Sequence, residues 1–183
     1  MPLTAYLAGP DVFLPRASAN AAAKIAICAR HGLTGLAPFN PNIDYTQPPE
    51  TLWRQIYLDD IAMMQASDLI IANLTPFRGA SADAGTLVEV GWFLGRARPV
   101  FGYSNTAAPF AARSAAQTAA MADPLPNLAI ETFNLPDNLM VPGAVEYGGG
   151  LPVTLPPDNI SRPFDSLDIF ELCVAAAARH LRV

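Results

Sequence analysis

The run Asp68-Leu69-Ile70-Ile71-Ala72-Asn73-Leu74 constrains the fold more than any other stretch. It offers no polar face to water, so it reads as a central strand covered on both sides, as in a parallel sheet with helices above and below. Leu3 to Ala8 is a similar strand closed by Gly9-Pro10, and Leu33 to Ala37 and Pro99 to Tyr103 supply two shorter ones. Asn127 to Phe133 is expected as a fifth.

Helical stretches separate the strands. They cover Ser18 to Ala29, Thr51 to Ala66, a helix from Asp83 to near Arg96, a partly helical Ala107 to Ala122, and a closing helix over Ser166 to Leu181. Strands alternating with helices predict an α/β domain with a doubly wound, five-stranded parallel sheet of the flavodoxin or Rossmann-like kind. Pro38 to Glu50 contains four prolines and is expected as a lid or substrate-facing loop. Asn134 to Pro163 is expected to be mostly loop, with a turn or short strand around Ala144 to Tyr147. The Pro/Gly-rich 141–165 stretch precedes the closing helix.

The whole chain, 1–183, reads as one domain, without internal repeat or linker. A hydrophobic share of 51% with 15% charged residues excludes a disordered chain. Eleven scattered Lys and Arg and a net charge of −5 argue against a nucleic-acid partner. No apolar run approaches the roughly 20 residues of a membrane helix, so no membrane partner is expected. Cys28 and Cys173 lie in helical stretches and read as reduced core thiols, which, without a signal-like start, gives a cytoplasmic expectation.

The chemistry must come from a short inventory. His31 and His180 sit near helix C-termini, where the dipole accounts for them, and Cys28 is mid-helix. Gly9 and Gly85 are isolated, so no dinucleotide or triphosphate loop is present, and no Cys/His spacing fits zinc. No metal or cofactor is expected.

Carboxylates remain. In Asp83-Ala84-Gly85-Thr86-Leu87-Val88-Glu89-Val90-Gly91 a lone Glu89 sits in a helix apolar nearly all round, which should therefore be buried. In Thr51 to Ala66 the apolar stripe is Leu52, Trp53, Ile56, Met63 and Met64; Asp60 falls inside it and Asp59 at its edge. Ligands of such sheets gather at the carboxyl ends of the strands, which brings Tyr6, Asp60, Asp83 and Glu89 toward one edge. Paired acids without histidine or metal suit chemistry at an acetal-like carbon, with Glu89 as nucleophile and another acid as proton donor. Each residue also has a structural alternative. Asp83 can cap its helix, Asp60 can be a surface acid, Tyr6 can be core, and Glu89 can pair with Arg78 or Arg96.

These residues also carry a resemblance to the nucleoside 2-deoxyribosyltransferases. Tyr6-Leu7-Ala8-Gly9-Pro10-Asp11-Val12-Phe13, Asp60 with Met64 and Asp68 to Gly79, Asp83 to Gly91, and Asn134-Leu135-Pro136-Asp137-Asn138-Leu139-Met140 resemble four family segments in order. The resemblance implies transfer of a 2-deoxyribosyl group from a 2′-deoxynucleoside to a free nucleobase through a deoxyribosyl-Glu89 intermediate, as part of nucleoside salvage. It makes Tyr6 the residue orienting Glu89 and Asp60 the proton carrier for the bases. It adds Asp83 and Gly9 to the substrate-binding set. It sends Asn138, with Met140 nearby, into a neighbouring subunit's site, so the chain is expected as a homo-oligomer, at least a dimer. The substrates are small molecules, with no cofactor.

The 141–165 stretch is longer than the family's usual ending, and the 38–50 loop carries no matched residues. A nucleotide N-hydrolase recognising a 5′-phosphate is the nearest rival, disfavoured by Asp11 in the first turn. A non-catalytic nucleoside-binding domain is the other.

Overall fold

The structure, a computed structural model, describes residues 2–39, 43–44, 46–121 and 128–183. Four strands form one sheet: β1 (Thr4–Ala8), β2 (Thr34–Leu36), β3 (Leu69–Asn73) and β4 (Val100–Tyr103). They run parallel in the order β2-β1-β3-β4. Every residue of β3 is buried, as its unbroken apolar run requires.

The two-residue alternation of the strands sorts side chains between two cores. Ala5, Leu7, Leu69, Ile71, Phe101 and Tyr103 face α1 (Ala17–Arg30) and the closing helix. Tyr6, Ala8, Ile70, Ala72 and Val100 face the other way. There they meet Met64 of α2 (Pro49–Gln65) and Val90 and Phe93 of α3 (Ala84–Leu94). After β4 come α4 (Phe110–Ala120), α5 (Met140–Gly149) and α6 (Asp168–Leu181). The chain leaves β1 toward β2 on one side and returns to β3 on the other, so the topological switch lies between the carboxyl ends of β1 and β3.

The expected fifth strand is absent among the described residues. Asn127 lies outside them, and 128–133 has no strand pairing, with Leu128 and Phe133 turned to solvent. The outer edge of β4 is taken instead by Thr154, which bridges to Tyr103 in parallel.

Most of Asn134 to Pro163 lies outside helix and strand, but the turn or short strand expected around Ala144 to Tyr147 is instead part of α5. Its Pro142 stands in the first turn, where a missing N–H costs little. Its glycines are there for packing: a Cβ on Gly149 would run into the Val100 carbonyl, and one on Gly148 would stand 2.9 Å from the Val100 side chain. Close approach to β4 overrides the poor helix propensity of glycine.

Two helices are more exposed than expected. In α3 Val88 is 70% exposed and Leu94 also faces out, and in α2 Trp53 leaves the expected stripe for solvent. Among the described residues no helix is long and apolar enough to cross a membrane.

Candidate active site

A cleft of about 440 Å³ opens at the switch point, at the carboxyl end of β1. Gly9, Pro10, Val12 and Phe13 form one wall, α2 another through Ile56, Asp59, Asp60 and Met63, and the start of α3 a third through Asp83, Gly85, Thr86 and Glu89. Pro38, Phe39 and Ile43 complete the apolar part of the lining. The expected substrate-facing loop thus supplies residues to the cleft.

Tyr6 points down from β1 into the core, stacked against Phe93 at 6.0 Å between ring centres. Its hydroxyl donates to Glu89 Oε1 at 2.6 Å. Burial, with the adjacent Glu89 charge, holds the Tyr6 phenol well above its ordinary range, so it remains a donor across physiological pH. Glu89 is pushed up to about 7, first by burial and further by the Asp60 and Asp83 charges, while the Tyr6 bond pulls it back down. Asp60 is pushed up to about 6 by burial and by the neighbouring Asp59 charge. Among the described residues neither Arg78 nor Arg96 pairs with Glu89. Arg78 lies over the rings of Phe13 and Phe77, and Arg96 over Trp92.

Asp83 has its expected capping role. Its Oδ2 accepts from the Thr86 backbone N–H at 3.0 Å and lies 3.2 Å from the Thr86 hydroxyl, while the residue lines the cleft. Gly9 also lines the cleft, at φ 153. A Cβ there would stand 2.5 Å from Asp11 Oδ2 and 2.7 Å from Asn73 Cβ, so only glycine fits this turn.

Asn138 and Met140 do not join this cleft. Asn138 Nδ2 donates to Glu131 at 2.8 Å, its Oδ1 accepts from the Met140 N–H at 3.1 Å, and Met140 is 71% exposed.

Three features escaped the sequence. Asp59 lines the cleft beside Asp60 rather than standing outside it. Asp137 is buried and gathers the Ser81 hydroxyl at 2.5 Å with the Ala82 and Asn138 N–H groups at 2.8 Å each, tying the loop before α3 to the segment before α5. Asp11 faces away from the cleft, contrary to its expected effect on a phosphate. Lys24 Nζ, on a side chain 4% exposed, stands 2.7 Å from Asp11 Oδ2, and Asn73 Nδ2 donates to the same oxygen at 3.2 Å.

The histidines stay out of the site, His31 against Glu171 and His180 against Phe101. Burial pushes the Cys28 and Cys173 thiols up to about 11 and about 12, so neither is a ready nucleophile. Among the described residues no group of three or more His, Cys, Asp or Glu side chains is placed to hold a metal ion.

A half-buried carboxylate oriented by a tyrosine, with a second acid in the same cleft, is equipped to attack a carbon and to move a proton. Residues 5–140 match the family described as Nucleoside 2-deoxyribosyltransferase. The chain belongs to this family. A solved 2-desoxiribosyltransferase from Leishmania mexicana is similar over 98% of this chain and 99% of its own, with 28% identity and a TM-score of 0.65. A second, from Bacillus psychrosaccharolyticus, shares 19% identity over 56% of this chain and 73% of its own, at a TM-score of 0.46. A Schizosaccharomyces pombe protein described as uncharacterized is 33% identical over 103 residues, 55% of this chain and 49% of that relative. The chain therefore spans about half the length of that curated relative.

Proposed function

We propose that this chain transfers a 2-deoxyribosyl group from a 2′-deoxynucleoside to an acceptor nucleobase through a covalent ester on Glu89. The observation that carries this reading is the Tyr6 hydroxyl 2.6 Å from Glu89 Oε1, in the wall of a cleft that also holds Asp60. With one oxygen oriented by Tyr6, the other Glu89 oxygen attacks C1′ as the C1′–N bond breaks, and the positive charge developing on the sugar is stabilised by the carboxylate. Asp60 gives its proton to a ring nitrogen of the leaving base. The acceptor base then attacks C1′ from the face the first base left, the C1′–O bond to Glu89 breaks, and the acceptor's surplus proton passes to Asp60. Asp83 and Gly9 hold the sugar.

Attack needs Glu89 ionised and departure needs Asp60 protonated, so transfer is fastest between about pH 6 and about pH 7. Below that interval the nucleophile is protonated, and above it the proton donor is empty.

Asn138 and Met140, outside their own cleft, complete a neighbouring copy's site in a homo-oligomer of at least two chains. The solvent-facing Val88, Leu94, Met140 and Tyr147 supply apolar surface for that contact.

Hydrolysis of a 5′-phosphorylated substrate is the rival reading. Asp11 is no obstacle to it, since its charge is met by Lys24. The described lining of the cleft, however, carries four carboxylates, Asp59, Asp60, Asp83 and Glu89, and no Lys or Arg, which favours a neutral nucleoside.

The test is incubation with a 2′-deoxynucleoside, with and without a free acceptor base, followed by chromatography. The proposal expects exchange that depends on the acceptor. Free base and deoxyribose at equal rates in both tubes would replace it with hydrolysis, and no turnover would leave a binding domain.

A further inference from the structure

The family match ends at residue 140, yet the chain beyond it packs on a ring that in turn stacks on the cleft wall. After α5 it follows the outer edge of β4, where the Thr154 N–H donates to Gly102 O at 2.9 Å and the Ser104 N–H to Thr154 O at 3.0 Å. Asn105 then fastens the next stretch. Its Nδ2 donates to the carbonyls of Pro163, Phe164 and Ser166 at 3.1, 3.0 and 3.0 Å, and its own carbonyl accepts from the Arg162 N–H at 2.7 Å. The Arg162 guanidinium pairs with Asp158 and Asp168, each at 2.8 Å. The backbone at Phe164 is therefore held from several directions.

From that anchor a chain of three rings leads to the cleft. Phe164 packs on Phe77 with centres 6.1 Å apart, and Phe77 stacks on Phe13 at 5.6 Å and 14° between planes. The Arg78 guanidinium covers the middle ring and the one at the cleft, 5.1 Å from Phe77 and 5.9 Å from Phe13. Phe13 lines the cleft and is 65% exposed. A ring so exposed loses rotational freedom when a ligand settles on it, unless a neighbour has already fixed it.

We propose that Phe164 is a positioning residue for this cleft, acting through Phe77 to hold Phe13 as a preset wall for the flat base of the nucleoside. This rests on the functional reading above and adds to it a role for the segment beyond the family match. Because the ring chain supplies neither the nucleophile, its orienting hydroxyl nor the proton donor, its effect falls on substrate affinity and not on turnover.

Exchange kinetics and calorimetric binding of 2′-deoxyadenosine to the full chain test this. Phe164→Ala is expected to raise KM and Kd about two- to tenfold, the worth of one aromatic pair, with kcat within about twofold. Phe164→Tyr restores both constants. In a Phe13→Ala background Phe164→Ala adds nothing, because its route to the substrate is already gone. Phe164→Leu, which keeps apolar bulk without a ring, carries the same test if the alanine variant does not fold. Unchanged affinity, a loss in kcat instead of KM, or an equal effect with and without Phe13 overturns the proposal while the functional reading stands. A wild-type chain that neither binds nor exchanges the nucleoside removes that reading, and this proposal with it.

Discussion

Asp11 and Glu89 stand on opposite sides of the turn that ends β1. Gly9 lines both the cleft that holds Glu89 and the small cavity behind it that holds Asp11. Asp11 is met by a full positive charge, Lys24 at 2.7 Å, and by the Asn73 amide. Among the described residues Glu89 receives one neutral donor, Tyr6, and faces two neighbouring acids, Asp60 and Asp83, that oppose its ionisation. A compensated carboxylate fixes the turn, whereas an under-compensated one is poised near neutrality and ready to react. On the function proposed above, the difference separates an acid that holds structure from one fitted for chemistry.

The greatest loss should come from removing Glu89. Glu89→Ala should lower exchange by more than about 10⁴-fold while circular dichroism and melting stay close to wild type. Retained exchange would remove Glu89 from the reaction.

At the other end, Lys24→Met leaves the half-buried Asp11 without its cation. It should cost about 3–5 kcal/mol in denaturant unfolding, and a loss below about 1 kcal/mol would show that the pair is not what holds the turn.

Tyr6→Phe strips Glu89 of its hydroxyl donor. The expected loss in kcat is about 10- to 100-fold, that of one hydrogen bond to a charged group. Since the Tyr6 bond lowers the Glu89 pKa, its loss should lower the maximum of the pH profile and move the alkaline limb upward from about 7. An unmoved or falling limb would contradict the orienting role.

The smallest effect is in stability. Glu89 binds a proton at up to about 7 when folded against 4.5 when unfolded, so the folded state holds more protons across that window and stability falls as pH rises through it. Glu89→Gln should therefore gain roughly 1–3 kcal/mol at about pH 8 and nothing at about pH 4. Equal stability at both would mean that the fold bears no cost for this acid.

What the sequence made legible follows the same division. Asp60 and Glu89 stand out because each interrupts an apolar stripe, and helical period alone turns such a residue inward. Asp83 was readable because a cap needs only its own helix. Lys24 was not: it sits in an alanine-rich run, and its burial depends on Asp11, Tyr103 and Phe170, which only the folded sheet brings to it. Helix α5 was hidden for a similar reason, since Gly148 and Gly149 read as loop until Val100 of β4 is known to press against them. The missing fifth strand came from giving Leu128 and Phe133 a core that the fold never builds for them.

The central claim is a covalent bond between Glu89 and the sugar. The direct measurement is intact-protein mass spectrometry after rapid acid quench of the chain with a 2′-deoxynucleoside and no acceptor base, followed by peptide mapping. The account predicts a mass gain of one deoxyribosyl group, located on Glu89, discharged when a free base is added and absent in Glu89→Gln. An adduct on another residue, or an adduct that persists in Glu89→Gln, would contradict it.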